Sequence, residues 1–357
     1  MKKYISIYES LKKDITEGVY KKGSKLPSKR TLADQWGVSL ITIEHSYELL
    51  LDEGYIQSQE KKGYFVLYEA GDFFYGDKKS DSLSYELIEY NYENITPAKQ
   101  GEYYISFDVY AKYVRRALSF CQDEVMVKAP SFGVLKLRKS ISEYLLRSRH
   151  INVSPKQIII GAGAEYLYGL IVRTLGTDIV YGIESPGYRR IKEVYESYGV
   201  KTDTLNLCKD GIESFELKRT NAGILHVTPY RSYPTGVTAT AGKKSEYLNW
   251  AHEKDGILIE DDFESEFTPS RKAVDTIFSM DNEGSVIYVN TFTRTISPSI
   301  RMAYMLIPEK LLDVFEEKIS YYSCPVPTLE QITVSYLLDS GEFERHINRV
   351  RRMLRNK

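Results

Sequence analysis

The sequence has little with which to build a metal centre, a disulfide frame or a membrane anchor. Three cysteines, Cys121, Cys208 and Cys324, are scattered through 357 residues without CxxC spacing. That pattern excludes a disulfide scaffold or zinc ribbon and points to a reducing compartment with buried structural thiols. The five histidines (45, 150, 226, 252 and 346) are equally dispersed, so no metal site is expected. No stretch reaches the roughly 18 apolar residues that would span a bilayer. The N-terminal MKKYISIYESLKKDI carries charges throughout in place of a long apolar core. The expectation is a cytoplasmic protein with no membrane partner. A net charge of -1 excludes a uniformly basic chain.

Local charge is another matter. Residues 1–31 hold nine Lys/Arg against three acids, a net of +6, whereas residues 68–95 hold seven acids against two lysines, a net of -5. A basic block followed by an acidic stretch containing Ser, Gly and Tyr reads as a small domain and then a linker. The expected division is a first domain over 1–67, a linker over 68–96 and a second domain over 97–357. The chain is long enough for two sizeable cores.

In YISIYESLKKDITEGV, Ile5, Tyr8, Leu11 and Ile15 recur at helical spacing with lysines on the other side. GSKLPSKRTLADQWGVS predicts a turn at Pro27, a helix capped by Ser28 and a stop at Gly37. Ser39 then caps LITIEHSYELLLDEG, which stops at Gly54. Two helices across a three-residue turn make a helix-turn-helix. YIQSQEKKGYFVLY alternates as a hairpin with Lys61, Lys62 and Gly63 at its tip, so the whole is a winged helix-turn-helix. In that arrangement the second helix of the pair enters a major groove and lysines of the wing and first turn meet phosphates. A lone basic helix would be no more than solvated surface. The ordered series of helix, P-S-K-R, helix, Gly turn, helix and basic hairpin favours double-stranded DNA.

These residues resemble the DNA-binding domain of GntR-type bacterial transcription regulators over Lys2 to about Val66. The matching positions are Leu26-Pro27-Ser28, Arg30, Leu32-Ala33, Gly37-Val38-Ser39, Thr42, Tyr47, Leu50 and Glu53-Gly54-Tyr55. The resemblance implies that Arg30, Ser39, Thr42 and the Gly63 wing face DNA, and the surrounding charges add Lys29, His45, Lys61 and Lys62. Leu40 and Ile41 stand where the family often has polar residues, which leaves the operator sequence open.

Past the linker, apolar runs of strand length begin at 157, 178, 223, 256, 285 and 301, separated by amphipathic helical patterns. Such alternation predicts an α/β domain with a mostly parallel sheet covered on both faces. Ligands of these sheets sit outside the strands' carboxyl ends. Polar residues gather there: Gly161–Glu165, Glu184–Tyr188, Asp261-Asp262 and Thr291–Arg294. GAGAEYLYG opens a helix whose first amides, at Gly163, Ala164 and Glu165, would suit a phosphate, or is only a tight turn. Asp261 suits a cationic ring nitrogen, or is a cap or loop ion pair. Tyr188 suits stacking on a ring, though the chain has 30 tyrosines.

In order, SPGYRRIKEVYESYG, VTPYRSYPTGVT, ILIEDDFESEF and NTFTRTISPSIRMAYMLIP resemble fold-type I pyridoxal-phosphate enzymes of the aspartate aminotransferase architecture. More closely they resemble the MocR subfamily of GntR regulators, in which that domain follows a winged helix. The resemblance covers Gln157 to about Pro308. It implies a Schiff-base lysine at the position of Arg294, a ring-nitrogen partner at Asp261 and phosphate ligands at Thr291, Thr293 and Arg301.

The departures from the family pattern are specific. Arginine cannot supply the neutral amine that attacks an aldehyde, whereas lysine can. Phe263 replaces the family's tyrosine that contacts the ring oxygen, Glu165 puts negative charge beside the phosphate cup, and Val127 falls near where the family commonly has a tyrosine that reaches a phosphate. In the family, FERHINRVRRMLRNK continues into a C-terminal small domain whose arginine binds a substrate carboxylate; this chain is expected to lack it.

The reading is a homodimeric DNA-binding regulator with a degenerate aminotransferase-like sensor domain, not an enzyme. Its sensor would bind an anionic or amino-acid effector non-covalently, pyridoxal phosphate included, or bind nothing and serve only dimerisation. The alternative is a pyridoxal-phosphate-dependent aminotransferase.

Overall fold

The computed structural model describes residues 3–59, 62–69, 103–268 and 274–356. Lys61 and nearly all of the expected 68–96 linker lie outside them. The chain divides into two compact units, Met1–Asn94 and Ile95–Lys357.

The first unit comprises α1 (Lys3–Thr16), α2 (Lys29–Trp36), α3 (Leu40–Asp52) and the hairpin strands β1 (Ile56–Gln59) and β2 (Gly63–Val66). Local chemistry sets each boundary. Ser28 accepts a hydrogen bond from Thr31 N to start α2, and Gly37, at φ 60, closes it through its amide to Ala33 O. Only a residue tolerant of the left-handed region turns the chain here. Ser39 accepts from Thr42 N to start α3. Ile7, Tyr8, Leu11 and Ile15 of α1 pack with Leu32, Ile43, Tyr47 and Leu50. Ile7, not the expected Ile5, completes the α1 stripe, because Ile5 falls to the edge of that face and is half-buried. Tyr47 ties the unit together by donating to Pro27 O at 2.7 Å and meeting the Tyr64 ring edge-on.

The second unit runs α4 (Phe107–Phe120), α5 (Leu135–Arg149), β3 (Ile158–Gly161), α6 (Ala164–Leu175), β4 (Tyr181–Ser185), α7 (Arg189–Ser197), β5 (Thr202–Cys208), β6 (Gly211–Ile212), α8 (Ser214–Arg219), β7 (Ile224–Val227), α9 (Ala241–Glu253), β8 (Ile257–Asp261), α10 (Ile277–Met280), β9 (Val286–Thr291), β10 (Ala303–Leu306), α11 (Leu312–Ile319), α12 (Thr328–Asp339) and α13 (Glu342–Asn356). The sheet order is β3-β10-β9-β8-β7-β4-β5-β6. The stretch from β9 to β5 is parallel, and β10 runs antiparallel between β3 and β9. The mostly parallel sheet is as the apolar runs predict. Ile158 and Tyr304 belong to a core cluster with α5 and α12 residues on one face, and Ile159 and Met305 to one with α6 and α7 residues on the other.

The thiols differ from expectation at one position. Cys121 and Cys324 are buried, but Cys208 is half-buried. It ends β5 beside the two-residue edge strand, where its Sγ donates to Asp210 and to Gly211 O.

This topology places one edge of the sheet at the carboxyl ends of β4, β7, β8 and β9. The register sets Gly161 and Thr291 both opposite Ala303, and Asp261 opposite Val289. Motifs far apart in sequence thereby meet on one rim.

Candidate functional site

In the first unit, the residues predicted to face DNA fall into two groups. Arg30, Ser39, His45 and Lys62 are exposed. Ser39 Oγ also lies 2.8 Å from Thr42 Oγ1, so the two hydroxyls brace the first turn of α3. Leu40 and Ile41 project from that turn with 43% and 62% of their surface exposed. Lys29 behaves differently. Its ammonium donates to Glu44 Oε1 at 2.5 Å and sits over the Tyr64 ring, so its charge is committed within the fold. Gly63, at φ 111, opens β2 where an added Cβ would meet Lys25 Cε at 3.0 Å. Lys61 lies outside the described residues.

In the second unit a cavity of about 550 Å³ opens at the carboxyl rim of the sheet. Ala164, Glu165, Tyr188, Asp261, Phe263, Thr291, Thr293, Arg294 and Arg301 all line it. Gly163 stands behind them: at φ 95, a Cβ there would come within 2.8 Å of the Arg301 guanidinium, so its absence lets Arg301 lie against the start of α6. Val127 is exposed and does not line the cavity; its carbonyl accepts from Thr328.

Asp261 is buried at the end of β8 and is neither a helix cap nor a surface ion pair. It accepts from the Tyr168 hydroxyl and lies 3.7 Å from His226 Nε2. His226 Nδ1 in turn meets the Tyr195 hydroxyl at 2.7 Å. Tyr168 and His226, the latter held by Tyr195, fix the Asp261 carboxylate at the cavity floor.

Thr291 Oγ1 donates to Met302 O and accepts from Thr293 N. Thr293 Oγ1 and Arg294 Nε are buried without a hydrogen-bond partner. Buried polar atoms are normally satisfied, so these two mark a place for a ligand or water. Arg294 Nη2 is held 2.5 Å from Glu264 Oε1, and the other oxygen of Glu264 lies 3.7 Å from Arg231. Glu165 repeats the arrangement, with one oxygen 3.1 Å from Arg301 and the other 3.5 Å from Arg190.

Sequence reasoning did not single out Arg190, Arg231 or Glu264. They lie inside the stretches SPGYRRIKEVYESYG, VTPYRSYPTGVT and ILIEDDFESEF, and only the fold reveals their pairing. Beside the cavity, Glu184 accepts from Thr228 N at 3.0 Å and Ser232 Oγ at 2.5 Å. Burial pushes its carboxyl up to about 7 against those two hydrogen bonds.

A second layer supports the loop after β8. Arg149, fully buried, lies 3.3 Å from Asp262 and 3.4 Å from Glu266 and donates to Ser265. Tyr288 donates to Asp262 at 2.8 Å, and Arg351 of α13 donates to Glu266 O at 2.6 Å. This network anchors the backbone that carries Phe263 and Glu264.

Residues 3–66 match the family described as bacterial regulatory proteins, gntR family. Over 99% of its length the chain is 32% identical to the uncharacterized HTH-type transcriptional regulator YdeL of Bacillus subtilis, covering 77% of that protein. The chain belongs to the MocR subfamily of GntR-type DNA-binding regulators. Its likeness to the probable rhizopine catabolism regulatory protein MocR of Rhizobium meliloti is 26% identity over 97% of this chain and 74% of that one. The crystal structure of an archaeal alanine:glyoxylate aminotransferase superposes with a TM-score of 0.62 at 23% identity, over 68% of this chain. The chain spans 62% of that aminotransferase's length, and the likeness establishes the fold of this MocR-type regulator's second unit. Among the described residues no helix is long and apolar enough to cross a membrane.

Proposed function

We propose that this MocR-type regulator binds operator DNA through α3 and the β1–β2 wing. Its aminotransferase-fold unit binds an anionic small molecule without covalent attachment. The observation that carries this reading is the Arg294–Glu264 contact of 2.5 Å inside the cavity. A guanidinium at position 294 offers charge and directed N–H donors but no nucleophile.

Pyridoxal phosphate, the group implied by the fold, does not fit as a resident cofactor. Asp261 and Tyr188 suit its ring, and Thr291, Thr293 and Arg301 suit its phosphate. Yet Glu165 places a carboxylate in the phosphate cup with both oxygens engaged by arginines, and no amine stands at 294. The reading is therefore a catalytically silent domain.

A homodimer is part of this reading: the exposed Phe120, at the end of α4, and Met126, six residues on, are apolar side chains that a partner subunit would cover. A two-fold dimer also matches a symmetric operator. Regulation requires that the effector bind the DNA-competent and DNA-incompetent arrangements with different free energy.

The test is calorimetry of the full chain with anionic metabolites, followed by DNA mobility shifts with and without the one that binds. Borohydride treatment of the protein with pyridoxal phosphate should leave the residues of this cavity unmodified, since no lysine is among the described residues that line it. A gain of the cofactor's mass localised to this cavity would overturn the silent-domain reading.

A further inference from the structure

The charges of the cavity are grouped in a way that specifies its ligand further, an argument that rests on the anion-binding role proposed above. Among the described residues lining it, Glu165 bridges Arg190 and Arg301, and Glu264 bridges Arg231 and Arg294. Each triad carries a net charge of +1, and Asp261 adds -1 on the floor. The lining as a whole carries four positive and three negative groups.

A phosphate ester carries a charge of roughly -1.5 to -2 near pH 7. Seated at the start of α6, it would meet the Glu165 carboxylate at close range and would have to displace it from two guanidiniums. A carboxylate, at -1, matches a triad at +1 without displacing anything, because each arginine still presents free N–H donors. Two triads take two carboxylates. Asp261, buried and held by the Tyr168 hydroxyl, favours a cationic centre in the same cavity. A molecule with two carboxylates and one ammonium group has a net charge of -1, the complement of the lining's +1.

We propose that Glu165 is the residue that makes this pocket select an amino dicarboxylate over a phosphate ester. Glu165 acts by charge: it lowers each anion's gain at Arg190 and Arg301, and the penalty grows with the anion's charge.

The experiment is calorimetric titration of the full-length protein with L-glutamate, inorganic phosphate and pyridoxal phosphate. It is run on the parent chain, Glu165→Gln and Glu165→Asp, with thermal melts as the control for folding. The parent should bind L-glutamate at least tenfold more tightly than either phosphate compound. Glu165→Gln should strengthen binding of inorganic phosphate and pyridoxal phosphate about tenfold or more, while Glu165→Asp keeps the parent's order. Equal or tighter phosphate binding by the parent, or an unchanged order in Glu165→Gln, overturns the selectivity and leaves the anion site standing. Absence of binding by all three compounds to the parent and to Glu165→Gln overturns both.

Discussion

Arg294 and Glu264 are 30 residues apart in sequence, and the guanidinium of one lies 2.5 Å from the carboxylate of the other. The strands that bring them together, β8 and β9, are parallel neighbours, so both residues leave the same rim of the sheet. Glu264 is largely shielded and Arg294 half-buried, with side-chain exposures of 16% and 36%. A double-mutant cycle with Arg294→Ala and Glu264→Ala, read from denaturant unfolding, should give a coupling of about 1 kcal/mol. A coupling indistinguishable from zero would mean that the contact does not hold the cavity in shape.

On the DNA side, two cationic side chains of the same short stretch should separate. Arg30 is exposed, whereas Lys29 is engaged by Glu44 and the Tyr64 ring. Removing a cation that neutralises one phosphate makes the dependence of log affinity on log salt shallower by about one unit. Arg30→Ala and Lys62→Ala should each show that shallower dependence in fluorescence-anisotropy titrations over a series of salt concentrations. Lys29→Ala should leave the slope nearly unchanged and lower the thermal midpoint instead. A change of a full unit in Lys29→Ala would place its ammonium on DNA.

Ile41 gives a prediction about sequence readout. It sits in the first turn of α3 with 62% of its surface exposed, beside Leu40. Apolar side chains at the groove-facing end of a recognition helix contact the C5-methyl group of thymine. Replacing operator thymines by deoxyuracil one at a time should weaken binding of the parent chain several-fold at one or two positions. Ile41→Ser should abolish that sensitivity. Equal sensitivity in parent and variant would remove Ile41 from the readout.

What the sequence disclosed and what it hid follow from the range of the interactions involved. Gly37, Ser28 and Ser39 mark helix ends because a cap is settled by residues two to four positions away. The six apolar strands were legible because burial on both faces leaves no alternation to confuse. The strand β5 was not: in TDTLNLC only Leu205 is fully buried, so its pattern is that of a half-covered strand near the sheet edge. The expected cavity residues converge because their motifs all leave or enter the sheet at the same rim. The two Arg–Glu–Arg triads were illegible for the opposite reason. Glu165 and Arg301 are 136 residues apart, and no local pattern records a pairing made by the rim of a folded sheet. The engagement of Lys29 was hidden because its partner Glu44 lies on the next helix.

Glu260 gives the unfolding free energy a distinct pH dependence. It is buried in β8 and accepts hydrogen bonds from Ile277 N and Phe278 N at 2.8 Å each. Burial, with the charge of Asp262 added, pushes its carboxyl up to about 7 from 4.5. Between those values the folded state keeps a proton that the unfolded state has released, so this group's contribution to stability falls as pH rises from about 4.5 to 7. His346 works in the opposite sense: burial, with the charge of Arg349, holds its imidazole down to about 4 from 6.5. The unfolded state then binds the extra proton, and the stability His346 contributes is lost as pH falls from about 6.5 towards 4. The two slopes offset one another across roughly pH 5 to 6.5, so the parent profile alone understates both. Glu260→Gln removes one of them. Urea unfolding of the full chain at a series of pH values should show the variant's stability rising relative to the parent by on the order of 2 kcal/mol between about pH 5 and 7.5. A constant difference between the two proteins across that range would show that Glu260 ionises in the fold near its ordinary value.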